Sequence, residues 1–208
     1  MKGGDVTIVA GGWSVRNVAI DRLCGQVIAV NEAAFHLPKP PAIVVSMDRL
    51  WTEHRWEWLT IRAGEAWLRR SAVQNLDVAR ARAEGWLHVF DCDNTQDVFA
   101  RRKDWLNGPN SGHCALNLAW HMQPRRVFLL GFDMNRDKHG TAHWHPPHPW
   151  NPPGGATPNG KYREWAARFN RAALSFSSIG AEVFNVSPSS AIKAFPKMSP
   201  ADYLKECT

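Results

Sequence analysis

Between residues 110 and 133 the chain sets Asn110-Ser111-Gly112-His113 at the head of an apolar, helix-like stretch and follows it with the run Arg126-Val127-Phe128-Leu129-Leu130-Gly131-Phe132-Asp133. Small polar residues open the helix, where backbone N–H groups lack partners and the helix dipole is positive. The apolar run reads as a buried strand that delivers Asp133 at its carboxyl end. An α/β protein that binds an anion is assembled from such units.

The amino terminus carries the same arrangement. Asp5 to Ala10 is a short run with β-branched residues, ended by Gly11-Gly12-Trp13-Ser14 ahead of an expected helix from Ser14 to Leu23. Glycines let a backbone pass close to a phosphate and Ser14 suits a helix cap, although a plain tight turn uses the same residues.

Beside Asp5 to Ala10 and Arg126 to Gly131, five further runs read as strands: Gln26 to Val30, Ala42 to Ser46, Ala66 to Arg69, Trp86 to Asp91 and Glu182 to Val186. Helices are expected from Asp48 to Leu59, Val73 to Glu84, Gly112 to Met122 and Lys161 to Ile179. Strands alternating with helices imply right-handed crossovers. The expected fold is therefore one α/β, Rossmann-like domain over residues 1–208, a mostly parallel sheet of about seven strands with helices on both faces. Ligands of such sheets sit beyond the carboxyl ends of the strands. The residues there are Gly11, Gly12, Trp13, Ser14, Asn31, Asp48, Asn110, Ser111, Gly112 and Asp133, and they form the candidate nucleotide site. Asn31 and Asp48 match the donors and acceptors of a base or ribose, and they equally suit helix capping.

No apolar run approaches the roughly 20 residues that span a bilayer, and no signal-peptide pattern opens the chain, so a cytoplasmic location is expected. Cys24, Cys92, Cys114 and Cys207 show no C-x-x-C spacing and read as reduced thiols. The formal charge of +6 suits a nucleotide phosphate and leaves nucleic acid open as a partner. Basic pairs such as Arg69-Arg70 and Arg125-Arg126 fit solvated faces. Trp51, Arg55 and Trp58 fall at helical spacing, which suits a core more than a stacking platform.

Residues 135–160 form a long His- and Pro-rich loop holding His139, His143, His145 and His148, four of the nine histidines. A loop this long in a compact domain is commonly a functional lid. The spacing H-x-H-x-x-H lacks the Cys or acidic ligands that complete a recognised metal site, so no metal is assigned. An imidazole titrating near neutrality above a nucleotide site suits a general base; His148 ranks first, then His145, then His143, because the flanking prolines hold the first two stiffly.

These residues also carry a resemblance. Ile8-Val9-Ala10-Gly11-Gly12-Trp13-Ser14 resembles the glycine-rich first turn, G-x-G-P-S, of bacterial sialyltransferase family 42 and of related proteins with a motility-accessory or pterin-diphosphokinase-like domain. Asn110-Ser111-Gly112 through Leu129-Leu130-Gly131-Phe132-Asp133 is similar to their S-G-x-x-A…I-x-L-x-G-x-D segment, and Val183 to Ser190 resembles their closing strand and turn. Compact phage-encoded proteins look similar. The resemblance implies an enzyme that binds a nucleotide-sugar and transfers its sugar to a hydroxyl acceptor without a required cofactor. It places the catalytic histidine among His143, His145 and His148. The chain departs from the pattern at Gly12-Trp13 and lacks a counterpart of the family's tyrosine pair. Two alternatives stand beside this reading. One is a diphosphokinase with Mg²⁺ on Asp133 and Asp137; the other is a nucleic-acid-associated binding protein.

Overall fold

The computed structural model describes residues 3–62, 64–150 and 157–207. The strands are β1 (Val6–Val9), β2 (Gln26–Val30), β3 (Ile43–Ser46), β4 (Glu65–Arg69), β5 (Leu87–Phe90), β6 (Arg126–Leu130) and β7 (Glu182–Asn185). The helices are α1 (Ala33–His36), α2 (Arg49–Arg62), α3 (Ala79–Ala83), α4 (Ser111–His121), α5 (Asn159–Ser178) and α6 (Pro200–Glu206). The sheet order is β5-β4-β3-β2-β1-β6-β7, and every pairing is parallel. Chain order reverses beside β1, so a crevice is expected where β1 and β6 end.

The strands are apolar on both faces because both are covered. Ile8, Ile28, Ile43, Val45, Val127 and Leu129 pack with residues of α4 and α5 on one side. On the other, Ala29 and Val44 pack with Trp51 and Leu59 of α2, and Val9, Phe128 and Leu130 pack with Tyr203 of α6. The alternation of neighbours between faces is the two-residue period of a strand. Trp51 is fully buried, so that member of the tryptophan cluster belongs to the core.

Several expectations need correction. The helix expected from Ser14 to Leu23 is a single 3₁₀ segment, Trp13–Asn17, because its first amides bond to the end of β6 and to the turn itself rather than propagating a helix. The helix expected from Val73 to Glu84 reduces to Ala79–Ala83 behind a 3₁₀ turn, Arg70–Ala72. Cys24 and Cys207 are not reduced thiols. They form a disulfide across 183 residues, with Cα atoms 4.8 Å apart. Their approach is set by Tyr203, whose hydroxyl meets Thr7 Oγ1 at 3.0 Å and accepts from Cys24 N–H at 3.0 Å, docking α6 against β1. Disulfides persist in oxidising surroundings. Among the described residues, no helix is long and apolar enough to cross a membrane.

Candidate nucleotide site at the carboxyl edge of the sheet

The second turn opens α4 as its sequence implies. Asn110 is the N-cap, its Oδ1 accepting from His113 N–H at 3.0 Å, and Ser111 Oγ accepts from Met47 N–H at 3.0 Å, tying the helix start to the end of β3. The first amides of α4, at Ser111 and Gly112, have no acceptor within the helix. Because the cap uses Oδ1, Asn110 Nδ2 is left buried without a hydrogen-bond partner among the described residues. A Cβ on Gly112 would lie 3.1 Å from the Phe132 ring and 3.2 Å from Asn110 Oδ1, so glycine here lets the exit of β6 close on the helix.

The first turn is wired differently. Gly12 N–H donates to Gly131 O at 3.0 Å, Ser14 N–H to Asp133 Oδ2 at 2.9 Å and Val15 N–H to Gly12 O at 3.4 Å. A Cβ on Gly12 would sit 2.3 Å from both Asp133 Oδ2 and Gly131 O. The close approach that glycine permits is thus to the end of β6. Ser14 contributes a hydroxyl instead, buried and without a partner among the described residues. Trp13 Nε1 donates to Asn135 Oδ1 at 3.1 Å, which fixes the indole against the start of the long loop. Asp133 is 1% exposed and its other oxygen accepts from Ser187 Oγ, so it anchors the turn.

Asn31 ends β2 with a positive φ of 50°, and its Oδ1 is also buried and unpartnered among the described residues. Asp48 follows the capping alternative. It is exposed, and its carboxylate accepts from Trp51 N–H at 3.0 Å at the head of α2. Asp137, the other Mg²⁺ candidate, accepts from the N–H groups of His139 at 2.9 Å and Thr141 at 2.7 Å. Among the described residues, no group of three or more His, Cys, Asp or Glu is arranged to hold a metal ion.

The histidine loop lies across the first turn. His143 forms an antiparallel bridge with Gly12, Trp144 N–H donates to Gly11 O at 3.2 Å, and Trp144 Nε1 donates to Ala10 O at 3.0 Å. Residues 151–156 of the loop lie outside the described residues. The imidazoles are stacked: His36 on His145 at 5.6 Å, His145 on His143 at 5.2 Å, and His148 on Trp150 at 4.9 Å. Below them is Glu32, 3% exposed, which accepts from Trp51 Nε1 at 2.8 Å and from both arms of the Arg55 guanidinium. His148 Nδ1 lies 3.7 Å from Glu32 Oε2 and His36 Nε2 lies 3.3 Å from Oε1. Burial opposes the charge on Glu32, but Arg55, Trp51 and His148 outweigh it and hold the carboxyl below its usual range. Desolvation among the rings pushes His145 down to about 4 and lowers His143 as well.

The structure therefore brings His143, His145 and His148 together, with His143 and His145 against Gly11 and His148 beside Glu32 and Trp150. Sequence reasoning missed Glu32, His36 and Arg55. One signal was present: Trp51 and Arg55 stand one helical turn apart, and both reach the acid that directly follows Asn31. Beside the site, a depression of about 410 Å³ is lined by Trp13, Asn135, Arg136, Asp137, Lys138, His139 and Ser189. Arg70, Arg80, Arg102 and Arg125 each pair with a carboxylate on solvated faces, whereas Arg126 is largely buried between Asp5 and Glu206.

No family model matches the sequence, and no curated protein sequence does. Solved structures do match. The sialyltransferase CstII from Campylobacter jejuni in complex with the substrate analogue CMP-3FNeuAc is 14% identical with a TM-score of 0.57, over 96% of this chain and 87% of that one. The monofunctional α-2,3-sialyltransferase Cst-I from Campylobacter jejuni is 11% identical with a TM-score of 0.53, over 96% of this chain and 82% of that one. A MAf glycosyltransferase from Magnetospirillum magneticum AMB-1 is 12% identical with a TM-score of 0.57, over 97% of this chain but 34% of that one. At this identity the likeness is one of architecture, and the chain shares the α/β fold of these bacterial sugar transferases.

Proposed function

We propose that the protein is a glycosyltransferase that takes a sugar from a nucleotide-sugar and passes it to a hydroxyl acceptor. The observation that carries this reading is the grouping at one sheet edge of three buried, unpartnered polar atoms, Ser14 Oγ, Asn31 Oδ1 and Asn110 Nδ2, with a histidine cluster backed by a carboxylate. A buried polar group without a partner costs about 1–3 kcal/mol, so three together favour a polar ligand that satisfies them. The fold neighbours include CST-II in complex with CMP and a trisaccharide acceptor, which makes a CMP-sugar the first donor to try.

In this scheme the start of α4 and Asn110 Nδ2 hold the donor phosphate, and Asn31 and Ser14 contact the nucleoside or sugar. His148 is the base. Glu32, whose Oε2 lies 3.7 Å from Nδ1, stabilises the imidazolium by its charge, leaving Nε2 to take the acceptor hydroxyl proton. The acceptor oxygen then bonds the anomeric carbon as the carbon–oxygen bond to phosphate breaks. The α4 amino terminus stabilises the charge on the departing nucleotide. His143 and His145 close the first turn and keep water from the donor. Lys161, near the start of α5, is paired with Glu164 at 2.9 Å and is not assigned to the phosphate. Full internal use of Asp133 argues against the Mg²⁺-dependent diphosphokinase.

A thermal-shift panel of CMP-, UDP- and GDP-sugars, with and without Mg²⁺, tests the proposal, because a ligand of the native state raises the melting temperature by mass action. A CMP-sugar that stabilises without metal, and releases CMP when a hydroxyl acceptor is added, is the expected result. Stabilisation only by a nucleoside triphosphate with Mg²⁺ contradicts it.

A further inference from the structure

The Cys114 sulfur contacts two other sulfur atoms behind the candidate site. Cys114 Sγ, in α4, lies 3.7 Å from Cys92 Sγ just after β5 and 3.3 Å from Met47 Sδ just after β3. Neither thiol is used by the Cys24–Cys207 disulfide. Thiolate and thioether ligands select soft, monovalent d¹⁰ cations over harder ones. A trigonal ion with metal–sulfur bonds of about 2.3 Å holds its sulfurs on the order of 4 Å apart, so the two observed contacts need only a slight expansion.

We propose that Cys92, Cys114 and Met47 form a three-sulfur site for a soft monovalent cation, with Cu(I) as the reference ion. Binding replaces two S–H bonds by two metal–thiolate bonds and releases two protons to solvent, while Met47 donates a lone pair with no proton change. The resulting complex has one net negative charge, within electrostatic reach of the Arg69 guanidinium. Cys114 is fully buried, whereas Cys92 and Met47 are half-buried and give the ion its entry. The site belongs to the same edge as the candidate nucleotide site, since Met47 N–H bonds Ser111 Oγ. It does not depend on the transferase reading.

The test is anaerobic withdrawal of Cu(I) from a chromophoric chelator complex by the intact protein, after a thiol count has shown two free cysteines. The wild type is expected to withdraw one equivalent and to melt at a higher temperature when loaded. Cys92→Ser is expected to weaken binding at least 100-fold and Met47→Leu about tenfold, each with the melting temperature of the unloaded protein near that of the wild type. If Cys114→Ser fails to fold, Cys92→Ser and Met47→Leu still decide. Withdrawal by Cys92→Ser equal to the wild type overturns the site. Equal affinity in Met47→Leu overturns the three-sulfur assignment, and loss of both thiols to a Cys92–Cys114 disulfide in place of Cu(I) uptake overturns the metal reading.

Discussion

The two glycine-bearing turns look alike in sequence and differ in what their backbone does. At the second turn the cap takes one side of Asn110 and leaves the helix start and Asn110 Nδ2 facing the sheet edge. At the first turn, Gly12, Ser14 and Val15 all spend their N–H groups inside the protein, and the histidine loop covers what remains. A glycine after a strand is therefore ambiguous until its Cβ neighbours are known. Gly12 is glycine because β6 and Asp133 occupy its space, and Gly112 because Phe132 does.

The largest effect expected from breaking this arrangement is on chemistry. His148→Ala should lower turnover roughly 10²- to 10⁴-fold with donor affinity nearly unchanged, and Glu32→Gln should lower kcat by a smaller factor. Steady-state kinetics with a fixed acceptor check both. Full activity in each variant would remove the histidine–carboxylate pair from the mechanism and leave the loop as a lid.

Acid should loosen the loop before the second turn. The His145 pKa is depressed from 6.5 to about 4, so the unfolded chain binds its proton first. The stability that His145 confers is complete above about pH 6.5 and is lost as pH falls toward 4, by up to about 3 kcal/mol, less where solvent reaches the ring. Proteolysis of the loop across that range is expected to rise in the wild type and to flatten in His145→Asn. A flat wild-type profile would count against a neutral, desolvated imidazole.

Substitutions at the two turns should then separate stability from binding. Gly12→Ala forces a methyl into Asp133 and Gly131 and should destabilise by roughly 1–3 kcal/mol in denaturant unfolding. Asn110→Asp keeps the capping oxygen and suits the helix dipole, so stability should hold or rise slightly. It replaces the unpartnered amide N–H₂ by a carboxylate and should weaken nucleotide binding at least about tenfold, ~1.4 kcal/mol, in calorimetry. A loss of stability in Asn110→Asp matching that in Gly12→Ala would erase the distinction.

All seven strands were legible because each is a short apolar run bounded by Gly, Pro or polar residues, and the α4 cap was legible because capping is local chemistry. What escaped is long-range. Tyr203 steers Cys207 to Cys24 from almost the other end of the chain, and Glu32 becomes a hub only when α2 and the histidine loop fold over it. The first-turn helix failed for a related reason. Asp133, 119 residues from Ser14, captures the amide that a longer helix would have used.

The most direct test of the difference between the turns is a titration of isotope-labelled protein with CMP, followed through backbone amide resonances. Ser111 and Gly112 are expected to shift strongly, with the Asn110 side-chain amide following, while the Gly12 and Val15 amides move little. Large shifts at Gly12 and Val15 with still resonances at Ser111 and Gly112 would contradict the distinction between the turns.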